Sequence, residues 1–430
     1  MDIRMKRRSL LAGTASLLAL NSFGISRALA QEVRLRMMWW GTERRAELQK
    51  QVNEIYLKRN PGLVLDGESA AFNDYWPRLA TQVAGGNAPD IINMDYRYLA
   101  DYGRRKVLLP LDEYVGNGLD IADFGPNLDG GKVDGVLYAI NFGVNAAAIL
   151  VNPAAFEEAG ATVPHAGMTW KEYADAGEQV TKNTKRKDFY GVSDGSGREP
   201  LFELWLRQRG KALFTEDSKL GYTAEDATAW FEMWADMRDR QAVPPPDIEA
   251  LDLDTFETGM INTGHAATNF AFSSNLTGYQ SLNKEKLVLV APPVQESDSK
   301  PGLYLKPSML FSVSATSTHP KESVAYLNFL VKDPEATSIM GLERGVSVSP
   351  AVRENLAPKL GEQDRAMVDY IGSLGDDQLG ALPPLPPQGA GEGAQVLLRI
   401  SQEVGFGQSS PEDGAKQLVD EVGKILVKAT

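Results

Sequence analysis

The chain has 430 residues, 43% of them hydrophobic, enough for two domain-sized cores. Its formal net charge of −13 lacks the Lys/Arg excess that nucleic-acid phosphates or anionic lipid surfaces select. It has no cysteine, which excludes disulfides, thiolate zinc sites, iron–sulfur clusters and cysteine nucleophiles, and its three histidines (His165, His265, His319) lie too far apart to suggest a metal site. No metal and no cofactor are expected.

At the N-terminus, "RMKRR" (4–8), "LLAGTASLLAL" (10–20) and "ALAQ" (28–31) give a basic region, an apolar stretch and a small-residue end. This pattern predicts a signal peptide over 1–30, cut after Ala30. Arg7-Arg8 before "SLL" resembles a twin-arginine signal and equally suits the Sec route. The apolar stretch is short of the ~20 residues that span a bilayer. Cleavage leaves 39 basic and 56 acidic side chains, a net charge of −17, on a protein expected in the periplasm.

"EVRLRMMWW" (32–40) alternates like a strand with one solvated edge. Thr42 is expected to cap a helix over 43–59, with Leu48, Val52, Ile55 and Tyr56 on its apolar face. "NPG" (60–62) stops it. Strand "LVLD", helix "FNDYWPRLATQVAGG", strand "PDIINMD" and helix "YRYLADYGRRK" follow, and this alternation predicts a parallel α/β sheet. "GVLYAINFGVNAAAILVNPAAFEEAG" (135–160) reads as an apolar, strand-like crossing. Thr169 and Glu172 form a capping box at the head of a mainly helical region, which "VPPPD" (243–247) interrupts. Trp230 and Trp234, four apart on a helix, read as core. Strands "LVLVAPPV" and "PSMLFSVSATSTHP" come next, the second running into a helix with Pro320 in its first turn. The tail is helical around a Pro/Gly linker at 382–393.

The leader, the strand ending in Trp-Gly, "FNDYWPRLATQVAGGNAPDIINMD", "GVLYAINF…LVNPAAFEEAG…TWKEY", "FETGMINTGHAATNF" and "SATSTHPKESVAYLNFLVKDPEA…LERGVSVSP" stand in one order. That ordered set resembles the family 1 extracellular solute-binding proteins, the sugar receptors of bacterial ABC importers. The resemblance implies an α/β, two-lobed periplasmic-binding-protein fold. Each lobe is a sheet flanked by helices, and three crossings join them near 140–147, 264–270 and 312–318. The N-terminal lobe would take 31–140 and 270–314, and the C-terminal lobe 141–269 and 315–430. It also implies a monomer without catalytic activity that hands a carbohydrate to permease subunits.

A sugar presents hydroxyls and C–H faces, which carboxylates, amides, arginine and aromatic planes match. At the end of the first strand, one of Trp39 and Trp40 is expected in the core and the other at the cleft, with Gly41 allowing close approach and Glu43 reaching a hydroxyl. Further expected contacts are Asp95, which also suits a helix cap, Tyr96, Asn141 and Phe142 at the first crossing, and Arg198 and Glu199 in "SGREPLF". Phe272, Ser273 and Asn275, Lys306 and Ser308 in "YLKPS", and Arg344 in "ERGVSVSP" complete the set. Two alternatives stay open at this point. One is an exported glycan-active enzyme. The other is the same fold binding a polyamine or other small cationic solute, for which Glu43, Asp95 and Glu199 supply acids.

Overall fold

The computed structural model describes residues 32–41, 43–297, 299–375 and 378–429. The predicted leader, its cleavage point and the Thr42 cap fall outside them. Among the described residues no helix is long and apolar enough to cross a membrane.

The chain opens as its alternation predicts: β1 (Val33–Trp40), α1 (Glu43–Arg59), β2 (Leu63–Ala70), α2 (Phe72–Ala84), β3 (Ile91–Met94) and α3 (Tyr96–Arg104). β1 pairs in parallel with both β2 and β3. Its last four residues are all buried, because helices cover both faces of the strand's end. A hairpin follows, β4 (Lys132–Val133) and β5 (Val136–Leu137). It turns on Asp134 and Gly135, whose φ of 50° and 83° give the two-residue turn that fits twisted strands.

β6 (Ile140–Asn145) and β7 (Ala147–Val151) are separated by Ala146 alone, and there the chain passes into a second sheet. Its body holds α4 (Pro153–Ala159), α5 (Trp170–Asn183), α6 (Glu199–Gln208), α7 (Ala224–Asp239), the single turns α8 (Pro246–Glu249) and α9 (Met260–Thr263), β8 (Thr268–Phe272), α10 (Leu276–Leu282) and β9 (Val288–Val290). The capping box is present: Thr169 N donates to Glu172 Oε2 at 2.8 Å, and Glu172 N donates to Thr169 Oγ1 at 3.2 Å. β8 and β9 both pair antiparallel with β7, giving the order β8-β7-β9. β10 (Lys306–Val313) then returns to the first sheet, antiparallel between β3 and β6. α11 (Pro320–Lys332), α12 (Pro334–Met340) and α13 (Pro350–Leu356) follow, with α11 and α12 packing on α1. α14 (Glu362–Ser373) packs on α10 and β9, and α15 (Ala390–Gly405) and α16 (Pro411–Ala429) pack against α7.

Three expectations are corrected by this topology. The first sheet, in the order β2-β1-β3-β10-β6, is mixed rather than parallel, because β10 arrives from the other lobe. Residues 264–270 are no crossing, because β8 is in register with β7 from Thr268 opposite Val151 to Phe272 opposite Ala147. Residues 312–318 are none either, because β10 leads into α11 on the same lobe. The boundaries expected at 269/270 and 314/315 therefore move. The chain crosses at Ala146, between β9 and β10, and between α13 and α14.

The second lobe's core is aromatic. Trp230 is fully buried, with ring centroids of Phe202, Trp205 and Trp234 at 5.3, 5.6 and 5.5 Å, and its Nε1 donates to Ser196 O at 2.9 Å. Removing so large a buried ring leaves a cavity and frees the loop that leads into α6. Trp230→Ala is expected to cost ~3–5 kcal/mol. A urea titration checks this by a lower midpoint at unchanged slope.

Candidate functional site

The register of β10 places the site. Lys306 lies opposite Asn145 and Leu310 opposite Met94, so the ends of β3 and β6 and the start of β10 share one sheet edge. Ala146 joins that edge to the second sheet, whose own edge is the Ala147–Phe272 pair. Side chains from both lobes converge there. Lys306 Nζ stands 4.7 Å over the Phe272 ring, a cation from the first sheet on an aromatic face of the second. The Tyr96 hydroxyl donates to Pro383 O at 3.1 Å, tying α3 to the segment before α15. The Tyr304 hydroxyl donates to the Glu203 carboxylate at 2.8 Å, and Arg207 lies 4.9 Å over the Tyr304 ring.

Glu199 is at the centre of this arrangement. Burial pushes its carboxyl up to about 7 and the neighbouring Glu203 carboxyl adds to the shift, while Lys306 and Arg97 oppose it. Among the described residues Glu199 has no hydrogen-bond or ion-pair partner. Burial raises Glu203 as well, and the Tyr304 hydroxyl pulls it back. Tyr96 is pushed up to about 12, by burial first and by the charge of Glu203 second. A cavity of about 10 Å³ between Pro200, Phe272 and Tyr304 has room for roughly one water. The site thus offers acceptors, cations and aromatic faces. Among the described residues no group of three or more His, Asp or Glu is gathered as a metal would require.

Of the residues singled out from sequence, Tyr96, Glu199, Phe272 and Lys306 come together. Trp39 and Trp40 do not reach the cleft: each is about 5% exposed, and the expectation of one free platform is corrected. Trp39 packs over Gly67, where a Cβ would come within 2.8 Å of the ring. Trp40 packs on the other side against Tyr75 and Trp76, with centroids at 5.1 and 5.5 Å. Trp76 in turn stacks on Tyr98 at 3.8 Å. Gly41 has φ 152° and a Cβ there would strike Arg45, so the glycine serves the turn. Glu43 is exposed on the first turn of α1. Asp95 caps α3, accepting from Arg97 N at 2.8 Å.

Another group holds the crossing instead. Asn141 Oδ1 accepts from Gly143 N at 3.2 Å, and the Ser308 hydroxyl bonds the carbonyls of Gly143 and Arg344. Arg344 is buried between Phe142 and Phe311, at 4.9 and 4.6 Å, and its Nη2 donates to Gln49 Oε1 at 2.6 Å. Ser273 N donates to Ala146 O at 2.9 Å, and Asn275 Oδ1 accepts from Phe272 N at 2.9 Å. Arg198 is paired with Asp252 at 2.8 Å and Asp254 at 2.5 Å. Sequence reasoning missed Glu203, Tyr304 and Arg97. Glu203 stands one helical turn after Glu199, a spacing that signals a shared face, and Tyr304 lies inside the "YLKPS" stretch.

An acid raised by burial binds its proton more tightly in the folded chain than in the unfolded one. Stability from Glu199 is therefore fully present below about pH 4.5 and lost as pH rises through about 7. Glu199→Gln lacks this loss. It is expected to melt above the wild type at pH 8 and to converge with it toward pH 5, as thermal denaturation across that range checks.

The bacterial extracellular solute-binding protein family matches residues 52–366. A binding protein of Brucella abortus is 29% identical over 177 residues, which is 41% of this chain and 41% of that protein's length. A family 1 extracellular solute-binding protein from Alicyclobacillus acidocaldarius is 29% identical, with TM-score 0.78 over 92% of this chain and 98% of that one. A periplasmic oligogalacturonide-binding protein from Yersinia enterocolitica, solved with saturated digalacturonic acid, is 26% identical, with TM-score 0.76 over 93% of this chain and 100% of that one. With its two joined sheets, and with a family match across most of its length, the chain belongs to the bacterial extracellular solute-binding proteins.

Proposed function

We propose that the protein is the periplasmic receptor of an ABC importer, which takes up a carbohydrate between its lobes and delivers it unchanged to the membrane permease. In this reading the first lobe comprises 32–145 and 306–356 and the second 147–290 and 362–429. The observation that carries the reading is the cluster of Tyr96, Glu199, Glu203, Tyr304 and Lys306 where the two sheet edges meet. Carboxyl groups and a tyrosine hydroxyl suit sugar hydroxyls, and Phe272 offers a face for sugar C–H groups. The saturated digalacturonic acid in the similar Yersinia protein supports a saccharide as the solute.

A thermal-shift screen of the purified protein against mono- and oligosaccharides, sugar acids and polyamines tests the reading. A ligand at 100 times its dissociation constant adds ~2.7 kcal/mol. The expected result is a raised melting temperature with a saccharide that is recovered unchanged. A response to polyamines alone, or hydrolysis of a glycoside, overturns it. Glu203→Gln is expected to weaken the saccharide found by about tenfold in calorimetry, because one carboxyl oxygen acceptor is lost.

A further inference from the structure

A cavity of about 490 Å³ opens beside the N-terminus of α6, between the 246–254 segment and α15. Its size lies in the ~300–1,000 Å³ range of small-molecule pockets. It meets the interlobe cleft at Glu199 and Pro200: Pro200 lines both this cavity and the small one beside Tyr304, and Glu199 feels Lys306 and Arg97 of the first lobe.

The walls are amphipathic. α15 presents Gln395, Leu398 and Gln402 along one stripe, at spacings of three, four and seven. Leu398 is 39% exposed, and Leu253 across the mouth is 71% exposed. Apolar contacts beside free amide groups match the alternating C–H and hydroxyl surface of a sugar ring.

The floor sets the charge. Asp194, Glu199, Glu249, Asp252 and Asp254 line the cavity against only Arg198 and Arg238. Both guanidinium groups are already engaged, Arg238 by Asp194 at 2.6 Å and Arg198 by Asp252 and Asp254. Burial, with the adjacent Asp194 and Asp252, pushes the Glu249 carboxyl well above the usual carboxylate range. Even with Glu199 and Glu249 both neutral, the carboxylates outnumber the cations. A ligand carboxylate entering here finds no unpaired cation and an excess of negative charge.

We propose that this cavity is a second saccharide subsite, continuous with the cleft through Glu199 and Pro200, which takes a neutral or amine-bearing sugar residue and excludes uronates. The proposal rests on the carbohydrate-receptor reading and extends it to chain length and charge.

Calorimetry at pH 7.5 tests it with dimers and tetramers of four series: maltose, cellobiose, glucosamine and galacturonate oligomers. At least one neutral or amine series is expected to gain about tenfold in affinity from dimer to tetramer, and the galacturonate series is not. Gln395→Trp, which fills the mouth from an exposed position, is expected to erase that gain, and Ala394→Phe provides a second plug should the first disturb α15. A gain that survives both plugs, a gain largest for galacturonate, or dimer binding with no gain in any series overturns the subsite alone. Failure of every saccharide to bind overturns the receptor reading together with it.

Discussion

Of the three connections between the two sheets, the shortest is a single residue. Ala146 is fully buried between β6 and β7; its carbonyl accepts from Ser273 N and its amide donates to Ser273 Oγ at 3.3 Å. With no loop between the strands, the edge of one sheet is fixed beside the edge of the other, and the ends of β3, β6, β8 and β10 are gathered around it. This constraint makes Lys306 of one sheet meet Phe272 of the other. The return through 302–304 adds Tyr304, which reaches Glu203, and Gly302, whose carbonyl accepts from Arg207 Nε at 2.8 Å. A bend between the lobes must turn about this join, so a motion of domain size can be set by a few backbone dihedrals.

The order of elements was legible where an element carries its own local signal: Asp95 as a cap, Thr169 with Glu172 as a capping box, Pro320 at the head of a helix, Trp230 and Trp234 on one face. The lobe boundaries were not, because they depend on pairing between distant strands. "TNFAF" reads equally as a crossing or as a partner of β7, and only the Val151–Thr268 register decides. The two tryptophans misled for a related reason. Alternation along a strand assigns them to opposite faces, which is correct, but whether a face is open depends on what covers it, and helices cover both. Apolar periodicity also hid the polar side of α1, where buried Gln49 bonds Asn53 at 2.7 Å, Tyr326 at 2.8 Å and Arg344.

Arg344 and Glu199 show how differently one chain treats buried charge. Arg344 sits between two aromatic rings with one amide acceptor, and burial pulls it down to about 9, which still leaves it a cation at neutral pH. Its carbonyl accepts from Ser308, while Gly143 packs so closely on residues 344 and 345 that a Cβ there would meet backbone at 2.7 Å. This cation is structural, locked into the wall of the crossing. Glu199 lies at the opposite limit, with its carboxyl near Lys306 and Arg97 but bonded to neither.

That contrast bears on how a receptor discriminates between its loaded and empty forms. A carboxyl group withdrawn from water without a partner carries its desolvation cost undiminished. Around Glu199 this cost takes the form of a carboxyl pushed up to about 7 by burial. In the proposed receptor reading, a solute whose hydroxyls donate to Glu199 offsets this cost. Under that reading, the group that resists charge in the empty protein is the one that a sugar hydroxyl satisfies.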